Sequence, residues 1–440
     1  MILALFLILL SASSGNCAAH GEMAILTAEN AAAPPGAVLL VMDGVGASYV
    51  YPEFQAYSIT GQPIPGIKLL NLTSRGARVL DLRVPVPSTS PAHSVLVTGQ
   101  RDADEALVGT GSTVFDTLRE EGFLCLALLQ RGDFQNMLEE QDGVVYFEDN
   151  SLCGDPTLGA RADLPPSVQL MLQQWRNAFA AYAGSSYARY NRWGLDAAAD
   201  MVGRLDQPFF LLVNIGGADS AAHARGADQY LETISALDAP LGRLMEACQE
   251  KGVLLGVTAD HGMSFSNRGG HASAQYAERL ESLRIPLVFV GDPADDLILD
   301  GIWSQTAVAP TLLRLLGIDD PRFPADRALP LSRLARLTVL LQGPQSIELN
   351  GTDLKAIKGS GSSAYRFEGL KRGTYTVKAL DASHRVDVIS DQVLDLRRVD
   401  QASARQDGEP FVPRWMVGSA LIVLINLAGL LVVWRVWRGG

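Results

Sequence analysis

Residues 257–271 read Val-Thr-Ala-Asp-His-Gly-Met-Ser-Phe-Ser-Asn-Arg-Gly-Gly-His, placing a carboxylate and two imidazoles in one short stretch. Asp260 and His261 are adjacent, and His271 follows a Gly-rich turn. Carboxylate and imidazole are hard-to-borderline ligands that suit zinc or manganese. Asp219 and His223 stand four apart. On one helical turn that spacing puts both side chains on the same face, able to share an ion. Asp43 ends an apolar run and is followed by Gly44, Val45 and Gly46. Three hydroxyls, Ser88, Thr89 and Ser90, precede Pro91. A hydroxyl at a helix N-terminus meets free backbone N–H groups, which favour an alkoxide nucleophile and a bound phosphate. Each feature alone has a plain structural reading: an Asp-Gly turn, a surface Asp–His pair, an N-capping hydroxyl. Yet Asp43, Asp219, His223, Asp260, His261 and His271 all fall at or just after the end of an expected strand, and they include three of only six histidines.

Bringing such a set together needs a sheet whose strand ends converge. The apolar runs 36–42, 208–215 and 252–257 read as buried strands. Ligands in α/β folds sit just past the carboxyl ends of such strands. A helix over 113–121, stopped by Gly122, and a strand over 123–128 repeat the βαβ pattern of a parallel sheet. A helix starts near Pro91 and runs through 94–97. Residues 228–251 read as an amphipathic helical region kinked at Pro240. A strand over 284–291 and a helix over 306–316 follow. Tyr187, Arg189, Tyr190, Arg192 and Trp193 form a cluster with two readings, a substrate-contacting insert or surface packing, the second slightly favoured.

The chain has 440 residues, 48% hydrophobic, with a net charge of −12. Several domains and a large core follow. The negative charge argues against nucleic acid as the main partner. It leaves small anionic substrates open, because a metal site reverses the local field. Residues 1–19 read as a signal peptide without a basic n-region, or as an uncleaved anchor. Residues 20–35 read as a linker. Residues 415–437 are apolar, bounded by Trp415, Trp434 and Trp437 and trailed by Arg435 and Arg438. That is a membrane span with a cytoplasmic C-terminus, which puts the rest of the chain outside. Cys17 falls in the signal; Cys125, Cys153 and Cys248 allow at most one disulfide. Residues 336–398 carry short alternating strands, among them 337–341, 346–349, 364–367, 374–380 and 385–389. They read as a small β-sandwich-like domain, and 399–414 as a juxtamembrane linker.

In this order the motifs resemble the alkaline phosphatase superfamily over roughly 37–318. Asp43-Gly is similar to the family's first metal aspartate. Thr89-Ser90-Pro91-Ala92-His93 resembles the Thr-x-Pro-Asn-His nucleophile segment of the nucleotide pyrophosphatase/phosphodiesterase branch. Asp219-Ser-Ala-Ala-His223 and Thr258-Ala-Asp260-His261-Gly262 are similar to the metal segments of the mutase and phosphodiesterase branches, and Gly270-His271 fits the final ligand. The resemblance implies an α/β fold with a mostly parallel sheet and helices on both faces over 36–335; the Ig-like β domain and the membrane helix read from the later residues follow it. It implies two divalent ions, zinc or manganese, about 4 Å apart. Asp219, His223 and His271 would hold one; Asp43, Asp260, His261 and the Thr89 hydroxyl would hold the other. Thr89 becomes the nucleophile toward a small phosphate ester. The branch's asparagine is Ala92 here, so Arg131, Arg189 and Arg192 are candidates for the missing phosphate contact. The Cys-x-Pro-x-Arg context of type I sulfatases is absent. The expectation is a membrane-anchored, extracytoplasmic phosphoesterase. A phosphoryl or phospho-headgroup transferase acting on a lipid or glycan is the first alternative. A non-catalytic surface protein that kept the fold is the second.

Overall fold

The computed structural model describes residues 23–28, 33–67, 69–130, 135–149, 151–351, 354–379 and 382–397. The expected signal peptide 1–19, linker 399–414, membrane span 415–437 and the candidate Arg131 lie outside these residues. Among the described residues no helix is long and apolar enough to cross a membrane.

The apolar runs become the middle of a nine-stranded mixed sheet. Its order is Ile298–Ser304, Ala77–Arg83, Arg284–Val290, Leu254–Thr258, Gly36–Met42, Phe209–Ile215, Leu124–Leu129, Gly143–Tyr146, Thr157–Ala160. The five strands from Leu254–Thr258 to Gly143–Tyr146 run parallel to one another. Arg284–Val290 is antiparallel to both its neighbours. Every residue of Gly36–Met42, Phe209–Ile215 and Leu254–Thr258 is buried, so both faces of the sheet centre are covered. Parallel alignment also brings the carboxyl ends of these three strands to one edge, where residues 43, 216–219 and 259–261 begin.

Local chemistry explains the helices that flank this edge. Val114–Glu120 starts on a capping box, with Thr113 and Asp116 satisfying each other's backbone N–H groups. The expected kink at Pro240 does not occur. The 228–251 region is two helices, Ala227–Ser235 and Asp238–Lys251, and Pro240 sits in the first turn of the second. There its missing N–H has no intrahelical partner to lose. The Tyr187 cluster resolves toward packing. Tyr190 and Trp193 are buried on helix Tyr187–Arg204 and meet Phe147 and Phe179 edge-to-face. Arg192 is tied to Asp196, and Arg189 donates to the Ala181 carbonyl. Trp193→Ala removes the largest ring of this cluster and should cost about 3–5 kcal/mol. A urea melt of the full chain reads it as a lower midpoint at unchanged slope.

A second apolar core belongs to a six-stranded sheet. Its six strands are connected by hydrogen bonds, with the long strand Leu334–Gly351 pairing 392–395 near its start and 375–378 at its end. The runs 337–341 and 346–349 are one strand, Leu334–Gly351, pairing along Leu354–Lys371. Pro344 falls between the two runs, where the register shift between Leu340 and Gln345 absorbs its missing N–H. The stretch 20–35, read as linker, contributes a strand: Ala24–Thr27 lies parallel to 365–368 of the long hairpin. Arg314–Asp391 and Arg336–Asp319 tie this sheet to the elements before it.

Candidate metal centre

The strand ends deliver their side chains into one buried cluster. Asp43 follows strand Gly36–Met42, and its N–H donates to the Ile215 carbonyl of the neighbouring strand end. Gly44 adopts φ +75, and a Cβ there would stand 2.9 Å from the Asp219 Cβ. Only glycine lets the two carboxylate loops abut so closely. Tyr230 then pins this loop, donating to the Gly44 carbonyl at 2.9 Å and accepting from Gly46 N–H at 3.2 Å. Asp219 and His223 lie on helix Gly217–Arg225, as the four-residue spacing requires, with His223 Nε2 at 3.3 Å from Asp219 Oδ1. Asp260 Oδ1 accepts from Gly44 N–H and His261 N–H at 3.1 and 2.8 Å. His271 follows the short hairpin of Ser264–Phe265 and Gly269–Gly270.

Two groupings of ligand atoms result. Asp43, Asp260 and His261 form one, with ligand atoms within 4.8 Å of one another, and all three residues are fully buried. Asp219, His261 and His271 form the other. His261 therefore stands between them, its ring stacked on His271 at 3.7 Å. His223, assigned to the outer ion by resemblance, lies on the solvent side of that group, 44% exposed, its ring 5.2 Å from that of His271. Its position at the last turn of an exposed helix end explains the difference.

The hydrogen bonds fix which nitrogen carries each proton. His261 Nδ1 meets the Gly262 carbonyl at 2.9 Å, and His271 Nδ1 meets the Pro87 carbonyl at 2.7 Å. A carbonyl only accepts, so both Nδ1 atoms are protonated and both Nε2 lone pairs face the carboxylates. Nε2 of His261 lies 3.4 Å from Asp260 Oδ2 and 3.6 Å from Asp43 Oδ1; Nε2 of His271 lies 3.6 Å from Asp219 Oδ1. Lone pairs facing anionic oxygens repel unless a cation lies between them. The spacings also match the roughly 3.3 Å ligand–ligand edge of a tetrahedron with about 2.0 Å bonds. The residues present thus fit divalent ions.

Burial raises the Asp260 carboxyl above the ordinary carboxylate range, opposed by His93 and by two backbone N–H groups. Burial, then the adjacent His261, pushes His271 down to about 4. A histidine pKa depressed on folding contributes stability that is present above the unfolded value near 6.5 and lost as pH falls toward 4. Metal-free protein should therefore lose thermal stability between those limits, and His271→Gln should lose less. Asp260 titrates with the opposite sign in both proteins, so the difference between their melting curves isolates His271.

Thr89 opens helix Thr89–Thr98 and is nearly buried; its Oγ1 lies 3.2 Å from His261 Nε2. The neighbouring hydroxyls stand differently. Ser90 Oγ donates to Glu105 at 2.5 Å, and Ser88 is the extended N-cap residue. Ala92 is fully buried and offers no polar contact. In its place, the N–H groups of Thr89 and Ser90, at the first helical positions, have no partner within the helix. Arg189 and Arg192, the candidate phosphate donors, are engaged with Ala181 and Asp196. One residue was overlooked: His93, a turn after Thr89, is 1% exposed, with Nδ1 at 2.8 Å from the Thr89 carbonyl and 3.5 Å from Asp260 Oδ2. Its signal was its place in the Thr89–His93 segment.

Residues 191–292 match the family model of the metalloenzyme superfamily. This segment contains Asp219, His223, Asp260, His261 and His271. The 2,3-bisphosphoglycerate-independent phosphoglycerate mutase of Vibrio vulnificus is 36% identical over 115 residues, 25% of this chain and 21% of that protein. The chain thus spans about a fifth of the length of the curated relatives it matches, 21% for this one. Among solved structures, a protein of the alkaline phosphatase superfamily from Vibrio parahaemolyticus is 16% identical, covering 87% of this chain and 84% of that one, with a TM-score of 0.47. A lipoteichoic acid synthase from Listeria monocytogenes is 12% identical, covering 70% and 78%, with a TM-score of 0.46. The acid–imidazole groupings at the sheet edge of this α/β fold are built largely from the segment that matches the metalloenzyme superfamily. More narrowly, the segment 191–292 is similar to the metalloenzyme superfamily, and the chain to the phosphoglycerate mutase of Vibrio vulnificus.

Proposed function

We propose that this protein is an extracytoplasmic, membrane-anchored phosphoesterase that cleaves phosphomonoesters or phosphodiesters through a phosphothreonine at Thr89. The observation that carries the reading is the 3.2 Å approach of Thr89 Oγ1 to His261 Nε2, at the join of the two acid–imidazole groupings. Asp43, Asp260 and His261 would hold one divalent ion; Asp219, His271 and His223 would hold the other. Ions there supply charge neutralisation and Lewis acidity.

The chain's own residues do the rest. The first turn of Thr89–Thr98 aims the nucleophile, and the Thr89 and Ser90 N–H groups donate to phosphoryl oxygens. Thr89 Oγ bonds to phosphorus as the bond to the leaving oxygen breaks, and the proton that the hydroxyl gives up passes through solvent to the departing oxygen. Water then displaces Thr89, releasing phosphate or a monoester. The buried surround of Asp43, Asp260 and His261 excludes bulk water and strengthens each of these interactions.

The test uses the full chain in detergent, with metal content measured alongside turnover of p-nitrophenyl phosphate and bis-p-nitrophenyl phosphate. Two bound ions with turnover of either ester support the reading, and the preferred ester decides between monoesterase and diesterase. Bound metal with neither ester turned over sinks it.

A further inference from the structure

We infer that His93 is a positioning residue that locks the nucleophile's helical turn to the Asp260 carboxylate. The inference rests on the phosphoesterase reading for its consequence, and on geometry for its substance. His93 lies within helix Thr89–Thr98, among the buried apolar residues Ala92, Val95, Leu96 and Val97. An imidazole of this kind is ordinarily a filler. Here its Nδ1 sits 2.8 Å from the Thr89 carbonyl and 3.5 Å from Asp260 Oδ2. The Thr89 carbonyl only accepts, so Nδ1 carries the proton and donates it there, with the Asp260 carboxylate close enough to attract the same N–H electrostatically. One partner is the backbone of the residue whose hydroxyl reacts. The other is a carboxylate whose second oxygen is already fixed by Gly44 N–H and His261 N–H.

The consequence is positional. Thr89 Oγ1 is placed by the turn on which it sits, and Asp260-His261 by a strand end on another part of the chain. This imidazole and the Thr89–His261 contact both join the helix to that strand end. Without the Nδ1–H, Asp260 Oδ2 loses a favourable buried dipole 3.5 Å away and the helix start can shift relative to His261. A shift of about 1 Å between reacting groups costs on the order of a hundredfold in rate. His93 touches neither the substrate nor the reacting atoms.

The experiment compares His93→Asn, His93→Gln and His93→Leu in the full chain. The asparagine amide places an N–H where Nδ1 stands; the glutamine amide reaches toward Nε2; leucine fills space alone. The inference expects His93→Asn to retain most of kcat. His93→Gln and His93→Leu should lose about a hundredfold in kcat, with KM and metal content close to wild type. Equal kcat in all three variants, or a loss traced wholly to missing metal, overturns it. Wild type and Thr89→Ala serve as controls for the reading itself. If wild type is inactive, the phosphoesterase proposal fails, and the cobalt-loaded proteins then decide the inference. Their visible spectra should shift in His93→Gln and His93→Leu but not in His93→Asn; spectra that do not separate the variants overturn it.

Discussion

Thr89→Ala should lower kcat on the preferred ester by about a thousandfold or more, with metal content unchanged. The size follows from the absence of a substitute. Ser90 is one residue away, but its hydroxyl is held by Glu105 at 2.5 Å. Ser88 is outside the helix, on extended backbone at φ −146, ψ 138. Thr89 Oγ1, by contrast, lies 3.2 Å from the His261 Nε2. Thr89→Ser keeps the hydroxyl at the same helical position and should recover much of the rate. Ser90→Ala should change it little. Acid quenching during turnover, followed by peptide mass spectrometry, should find the phosphoryl group on Thr89. Label on Ser88 or Ser90, or full activity in Thr89→Ala, would remove Thr89 from the chemistry.

The sheet edge was legible because period and polarity coincide there. Gly36–Met42 and Phe209–Ile215 are continuous apolar runs, each ending in a polar loop, and parallel pairing makes those ends neighbours. Sequence alone therefore brought Asp43, Asp219, Asp260 and His261 to one place. What stayed hidden depended on contacts between distant segments. The Ala24–Thr27 strand is four residues long and pairs with 365–368, so no local signal separates it from a linker. Leu334–Gly351 hides a proline at a register shift, which reads locally as a turn. His93 looks like core because its helix neighbours are core; only the approach of Asp260 reveals what its Nδ1 does. The sharing of His261 between two groupings is likewise a matter of ring stacking against His271.

Chelation should lower the thermal midpoint of the wild-type protein at pH 7, and Asp260→Asn should invert the pattern. An ion present at a thousand times its Kd stabilises the folded state by about 4 kcal/mol. For a domain of this size that is roughly 10 °C. In the metal-free protein the sign is opposite, since Asp43, Asp219 and Asp260 are buried close together and the Asp260 pKa is raised by that burial. A carboxyl raised on folding contributes stability below its unfolded pKa and loses it as pH rises through the folded value. At pH 7 the charged form is therefore a net penalty that only a cation removes. Asparagine keeps Oδ1 as acceptor for Gly44 N–H and His261 N–H, and its amide can donate to the His261 Nε2 lone pair. Without metal, Asp260→Asn should melt above wild type. With metal it should melt below wild type and gain little from added ion. Scanning fluorimetry of both proteins, with and without chelator, reads the crossing directly. Parallel responses would mean that Asp260 neither holds an ion nor carries a buried charge.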